Sequence, residues 1–186
     1  MKIYTKKGDK GKTRLFNNEC VAKDSLRVEA YGAVDELNAV LGFARAQRPS
    51  SEIERVLNEL QNSLFVLGSD LATPRDAKIG RKIPRITEGD VRRLEKIIDK
   101  YDAKLPPLKQ FILPGGGPSG ASLQIARTVC RRAERIAVKL SQQENIGDIP
   151  VKFLNRLSDL LFVLARAVNL NQGIKDAVWT LKNKLL

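Results

Sequence analysis

Five times along this chain, apolar residues recur at alternating spacings of three and four. Val34, Leu37, Leu41 and Ala44 form the first series, and Ile53, Leu57, Leu60, Leu64 and Leu67 the second. Val91, Leu94 and Ile98 form a shorter third, and Leu123, Ala126, Cys130, Ala133, Ala137 and Leu140 the fourth. Leu154, Leu157, Leu161, Leu164 and Val168 complete the set. Each series puts one apolar stripe on an α-helix. A lone helix cannot hide such a stripe, so the five must pack on one another. With little strand signal, the expected fold is all-α: an antiparallel five-helix bundle. The 186 residues suit a single domain, 1–186, with an N-terminal segment at 1–30 and the bundle at 31–173.

The breaks between helices carry their own chemistry. The second helix is expected to reach about Ala72, and the basic stretch Thr73–Arg85, with two prolines, reads as a surface loop. Thr87 should cap the third helix, with Asp90 in its first turn. Pro106–Pro107 and the run "PGGGPSG" at 114–120 flank a short apolar stretch, Phe111-Ile112-Leu113. Ser119 or Ser122 can start the fourth helix, which runs to roughly Gln143, and Pro150 suits the first turn of the fifth. A short strand is expected at Lys2–Tyr4, followed by loop.

Composition excludes several kinds of chemistry. The chain has no histidine, which removes the commonest general base and zinc ligand. Its two cysteines, Cys20 and Cys130, are far apart and fit neither a disulfide framework nor a structural zinc site. No metal site of protein ligands is expected. No stretch approaches the length and apolarity of a membrane span, and the N-terminus lacks an apolar leader, so a cytoplasmic protein is expected. A net charge of +12 attracts polyanions without choosing among them.

Four arginines and one glutamate sit in "ARTVCRRAER", Ala126 to Arg135. Helical phase divides it. Arg127, Arg131 and Glu134 lie at i, i+4 and i+7 on one stripe beside the apolar seam, where Glu134 can pair with Arg131. Arg132 points roughly the opposite way. On the fifth helix Asn155, Asp159, Phe162 and Arg166 share a face beside the leucines, which reads as a second packing surface. In "YGAVDELN", Asp35 and Glu36 are read near a helix start, where carboxylates offset the positive helix end. "TKKGDKGKT", Thr5 to Thr13, has the glycines, lysines and hydroxyls of a phosphate cradle. It is no Walker A loop, because Lys6 stands where that motif needs glycine.

Taken in order, "TKKGDKGKTRL", "VEAYGAVDELN", "FILPGG", "ARTVCRRAER" and "FLNRLSDLLFVLAR" resemble the PduO-type ATP:cob(I)alamin adenosyltransferases, from Thr5 to about Arg166. The resemblance implies a trimer-forming five-helix bundle with active sites between subunits. It implies transfer of the 5′-deoxyadenosyl group of ATP to the cobalt of cob(I)alamin, with release of triphosphate. Mg²⁺ would accompany ATP, and cobalamin would be a substrate. By motif, Thr5, Gly8, Asp9, Gly11, Lys12, Thr13, Arg14 and Lys23 correspond to the ATP-binding segment, and Arg131, Glu134 and Asn155 to residues around ATP. Arg127 and Asp35 correspond to an ion pair joining neighbouring subunits. Phe111 corresponds to a phenylalanine covering the lower face of the corrin, with Phe162 and Asp159 in the corrinoid-binding wall. Arg131, Glu134 and Phe111 are the expected catalytic residues. A corrinoid reductase and an adenosylcobalamin-dependent enzyme would be partners, nucleic acid and membrane would not. Two other readings account for less. A basic nucleic-acid-binding bundle leaves "FILPGG" unexplained and has few aromatics, 5% of the chain, for base stacking. A purely structural bundle leaves the glycine–lysine loop idle.

Overall fold

A computed structural model describes residues 3, 4, 6, 8–77 and 83–180. Two short strands, β1 (Lys12–Arg14) and β2 (Cys20–Ala22), precede five helices: α1 (Leu26–Ala46), α2 (Ser51–Leu71), α3 (Glu88–Asp102), α4 (Pro118–Ser141) and α5 (Ile149–Asn171). The five-helix bundle is as expected from the apolar spacing. α4 lies between α1 and α5, while α2 packs against α1 and α3 against α5. Every residue of the fourth and fifth apolar series is buried in the shared core. Burying each leucine stabilises the fold by about 1.5–3 kcal/mol relative to leaving it in water. Because α4 faces its neighbours mostly with Ala126, Cys130, Ala133 and Ala137, those helices can approach closely.

Several boundaries follow the local chemistry. Thr87 and Asp90 form a reciprocal capping box at the start of α3, which satisfies two otherwise free N–H groups. α5 opens with Pro150 in its first turn. α4 begins at Pro118, with Gly117 as its N-cap and neither serine in that role. Proline suits that first turn because it lacks the N–H a helix start leaves unpaired. α1 begins at Leu26, well before the first residue of its apolar series. Asp35 and Glu36 therefore sit deep within the helix, where they cannot offset its positive end. Neither Ile3 nor Tyr4 lies in a strand, and Lys2 is outside the described residues. The loop after α2 is tied to the bundle at both ends. Thr73 is buried, and Arg85 forms an ion pair with buried Asp70, whose other oxygen accepts from the Ile86 N–H.

The glycine run has a specific partner. Asn169, buried near the end of α5, accepts from the Gly117 N–H at 3.1 Å and donates to the Gly115 carbonyl at 3.0 Å. A Cβ at Gly116 or Gly120 would collide with the Asn169 amide, and Gly116 also has φ +111. Gly120→Ala should therefore destabilise the fold by about 1–3 kcal/mol through overpacking. A thermal melt checks this, and an unchanged midpoint would mean that Asn169 can move aside freely.

Beyond α5 the chain turns at Gly173 and runs back along the 111–113 stretch. The Leu113 N–H donates to Ala177 at 2.7 Å, the Trp179 N–H donates to Phe111 at 2.8 Å, and Ile112 bridges Val178. Arg166, only 4% exposed, anchors this return. Its guanidinium donates to Asp176 at 2.8 Å and to the Pro106 carbonyl at 2.7 Å.

Candidate functional site

The expected site residues fall into three places on the surface. The first is the N-terminal segment, where β1 and β2 form an antiparallel hairpin with Thr13 opposite Val21. Gly11, with φ +72, lets the chain turn into β1, and its carbonyl accepts from the Lys23 N–H at 2.9 Å. A Cβ at Gly8 would lie 3.0 Å from the Lys23 Nζ, so the ammonium rests on the glycine backbone. Gly8, Gly11, Lys12, Thr13, Arg14 and Lys23 are thus gathered around one hairpin, with Asp9 exposed in its approach. Thr5 is outside the described residues. Burial raises the phenol of Tyr31 above its ordinary pKa, and its hydrogen bond with Thr13 works against that rise. Arg14 donates to the Asn18 carbonyl at 2.7 Å. With Asp35, Phe16 and Phe65 it lines a largely apolar groove of about 340 Å³ between α1 and α2.

The second place lies between α4 and α5. Arg131 and Glu134 of α4, together with Asn155 of α5, line a pocket of about 260 Å³ that also includes Arg135 and Val138. Asn155 donates to Glu134 Oε1 at 2.9 Å. Glu134 is thus held by α5, and among the described residues no ion pair joins it to Arg131. The spacing argument for that pair fails because a neighbouring helix offers the carboxylate a better-placed donor. Arg131 is left exposed, with its guanidinium unengaged among the described residues.

The third place is a groove of about 910 Å³ lined by Phe111, Ile112, Arg127, Phe162 and Trp179. Phe111 is 82% exposed even though its backbone is pinned to the returning tail. Arg127 is half-buried and, among the described residues, hydrogen-bonds only Gln124, at 2.8 Å. Burial, and secondarily Arg131, lowers its pKa from the usual guanidinium value. No carboxylate of the described chain pairs with it. Asp35 lines the α1–α2 groove and is likewise without an ion pair among the described residues, so a single chain does not join these two. Asp159 does not line the Phe111 groove; it is exposed and lies 3.5 Å from Arg156.

Arg132 faces away from this flank, as its helical phase predicts. It pairs with Glu36 of α1 at 2.5 Å, across the opposite side of α4. The fifth-helix face also divides: Asn155 meets α4, Phe162 lines the groove, and Arg166 holds the tail. The sequence reading missed Asn169 and Trp179. Both lie beyond the last matching motif, and each gains its role only through long-range contact.

Cys130 is buried in the α4–α5 seam, where its thiol donates to the Leu154 carbonyl at 3.2 Å. Burial pushes its pKa well above the ordinary thiol value, which leaves it unreactive. Cys20 is exposed. Ellman's reagent should therefore titrate one thiol in the native protein and both after denaturation. Two fast-reacting thiols in the native state would mean that the seam opens.

Comparisons with known proteins fit this geometry. The model of the cobalamin adenosyltransferase family matches residues 3–168. A corrinoid adenosyltransferase of Bacillus subtilis is 47% identical over 180 residues, covering 95% of this chain and 91% of its own. One from Mycobacterium tuberculosis is 46% identical over 171 residues, covering 90% of this chain and 89% of its own. Among solved structures, a phenylalanine-to-alanine variant of the PduO-type ATP:corrinoid adenosyltransferase from Lactobacillus reuteri, complexed with cobalamin and ATP, superposes with a TM-score of 0.91. It is 40% identical, and the match covers 96% of this chain and 99% of that one. The chain belongs to the cobalamin adenosyltransferase family.

Proposed function

We propose that this enzyme assembles its active site between subunits, the hairpin of one chain meeting the Arg131 pocket of the next. The enzyme transfers the 5′-deoxyadenosyl group of ATP to the cobalt of cob(I)alamin. The cobalt supplies the electron pair for the new bond to C5′, and triphosphate leaves with the electrons of the broken C5′–O bond. The nucleophile comes from the cofactor-like substrate, so a protein base is not required, in keeping with a chain that has no histidine. The protein's task is to hold ATP and to meet negative charge as it develops on the leaving group.

The observation that carries this reading is the convergence of Arg131, Glu134 and Asn155 on one pocket from two helices. Arg131 offers a guanidinium with no partner among the described residues, suited to phosphate oxygens. The hairpin offers Lys12, Lys23, Thr13 and the glycine backbone. The hairpin adjoins the groove between α1 and α2, whereas the Arg131 pocket lies between α4 and α5, so a nucleotide held between two chains would draw one set from each. Arg127 and Asp35, each without an ion pair among the described residues, are complementary in the same way, and Asp35 of the partner subunit would neutralise Arg127. A homotrimer satisfies each contact by rotation. Light scattering at three times the chain mass supports it, and a monomer under turnover conditions contradicts it.

Mg²⁺ would arrive with ATP. Among the described residues no three His, Cys, Asp or Glu side chains converge on a metal site. The ion would be held mostly by phosphates and water, with Glu134 the carboxylate at hand. The Phe111–Phe162 groove would receive the corrin, with Phe111 against its lower face. The cytoplasm, with its ATP and reducing conditions, suits this chemistry, and a corrinoid reductase would supply the cob(I) state. Product would pass to an adenosylcobalamin-dependent enzyme. Among the described residues no helix is long and apolar enough to cross a membrane. The direct test mixes the protein with ATP, Mg²⁺ and chemically reduced cobalamin and follows the corrinoid spectrum. Conversion to adenosylcobalamin supports the reading, and an unchanged spectrum under strict reduction refutes it.

A further inference from the structure

We infer that Arg156, held by Glu95, is a positioning residue that fixes the amide of Asn155 and, through it, the carboxylate of Glu134. This rests on the reading of Glu134 and Asn155 as the ATP pocket. Arg156 lies on α5 beside that pocket but does not line it. Its Nε donates to Glu95 Oε1 of α3 at 2.9 Å, and its Nη1 donates to Asn155 Oδ1 at 3.3 Å. Asn155 in turn donates its Nδ2 to Glu134 Oε1 at 2.9 Å. A chain of polar contacts thus runs from α3 through α5 to α4.

The chemistry of the ends gives this chain a direction. A guanidinium can only donate, and an ionised carboxylate can only accept. Asn155 sits between them with one end of each kind. If its amide were turned over, N–H would face N–H on the Arg156 side and oxygen would face oxygen on the Glu134 side. Arg156 therefore selects the orientation in which Asn155 offers Glu134 a donor. With Oε1 engaged, the other carboxylate oxygen of Glu134 has no hydrogen bond among the described residues and remains available to the pocket. Glu95 holds the guanidinium from the far side, and Asp159 lies 3.5 Å from Nη1. Without Arg156 the amide could turn over, and its oxygen would then repel the carboxylate it now holds. Geometry at a reacting centre is sensitive to such changes.

Four proteins test this: wild type, Asn155→Ala, Arg156→Met and the double variant, each assayed for ATP KM, kcat and thermal midpoint. Arg156→Met should lower kcat/KM for ATP by about tenfold, the cost of one charge-assisted hydrogen bond. In the Asn155→Ala background the same change should cost almost nothing, because the group through which it acts is gone. Glu95→Gln should give a smaller loss in the same direction, and it keeps the test valid if Arg156→Met folds poorly. Equal losses from Arg156→Met in both backgrounds would overturn the inference, as would wild-type kinetics in Arg156→Met and Glu95→Gln. Asn155→Ala separates this from the broader reading. If that variant loses activity while Arg156→Met does not, the pocket stands and the inference falls; if Asn155→Ala turns over normally, both fall.

Discussion

Arg131→Ala should lose adenosyl transfer by about 100-fold or more while melting at nearly the wild-type temperature. On the proposed reading the loss follows from removing a charge that would face the phosphates, where a positioned donor supplies about 3 kcal/mol of transition-state stabilisation. The unchanged melt follows from the side chain's surroundings. Arg131 is exposed, and its guanidinium engages no partner among the described residues. Surface substitutions of that kind shift stability by about 0.5 kcal/mol or less. Neighbouring Arg132 makes a useful contrast. It pairs with Glu36 on the far flank of α4, so Arg132→Ala should act mainly on the α1–α4 contact and much less on turnover. Near-normal transfer by Arg131→Ala would remove that residue from the site.

Phe111→Ala should impair reactions that start from cob(II)alamin with its lower base attached far more than reactions that start from cob(I)alamin. The ring is 82% exposed, so it contributes little to the core. Its backbone is nevertheless fixed by the Trp179 N–H, and the ring stands at a groove shared with Phe162. A large aromatic held at such an opening suits contact with a flat apolar ligand face. In the proposed role the ring would cover the lower face of the corrin and displace the axial base, which would ease reduction of cobalt before attack. Cob(I)alamin has already passed that step and should be affected less. Equal losses in the two assays would make Phe111 a general packing residue.

The sequence was most informative where periodicity decides the outcome. Five apolar series gave five helices, because each stripe has few alternatives to burial. Helical phase also separated Arg132 from Arg127, Arg131 and Glu134 before any neighbour was known. It could not tell which partner Glu134 would choose, since Arg131 in sequence and Asn155 in space compete for one carboxylate. α1 started earlier than its leucines suggested because its buried face continues toward the N-terminus through the small Ala30 and Ala33, which signal burial less strongly than leucine. The hairpin at Lys12–Ala22 was hidden by strands of three residues, too short for alternation to register. The tail at 174–180 was invisible for a different reason: its order comes from Arg166 and the 111–113 backbone, not from its own pattern.

A subunit-mixing assay tests the central claim, that the hairpin and the Arg131 pocket serve one ATP from different chains. A variant carrying Lys12→Ala and Lys23→Ala is prepared alongside Arg131→Ala, and each alone should be nearly inactive. The two are then mixed, exchange is confirmed by native mass spectrometry, and adenosylcobalamin formation is followed by its spectrum. Random mixing should restore about one quarter of the sites, those that draw an intact hairpin from one variant and an intact pocket from the other. Mixed trimers as inactive as their parents would place both halves of the site in the same chain and contradict the account.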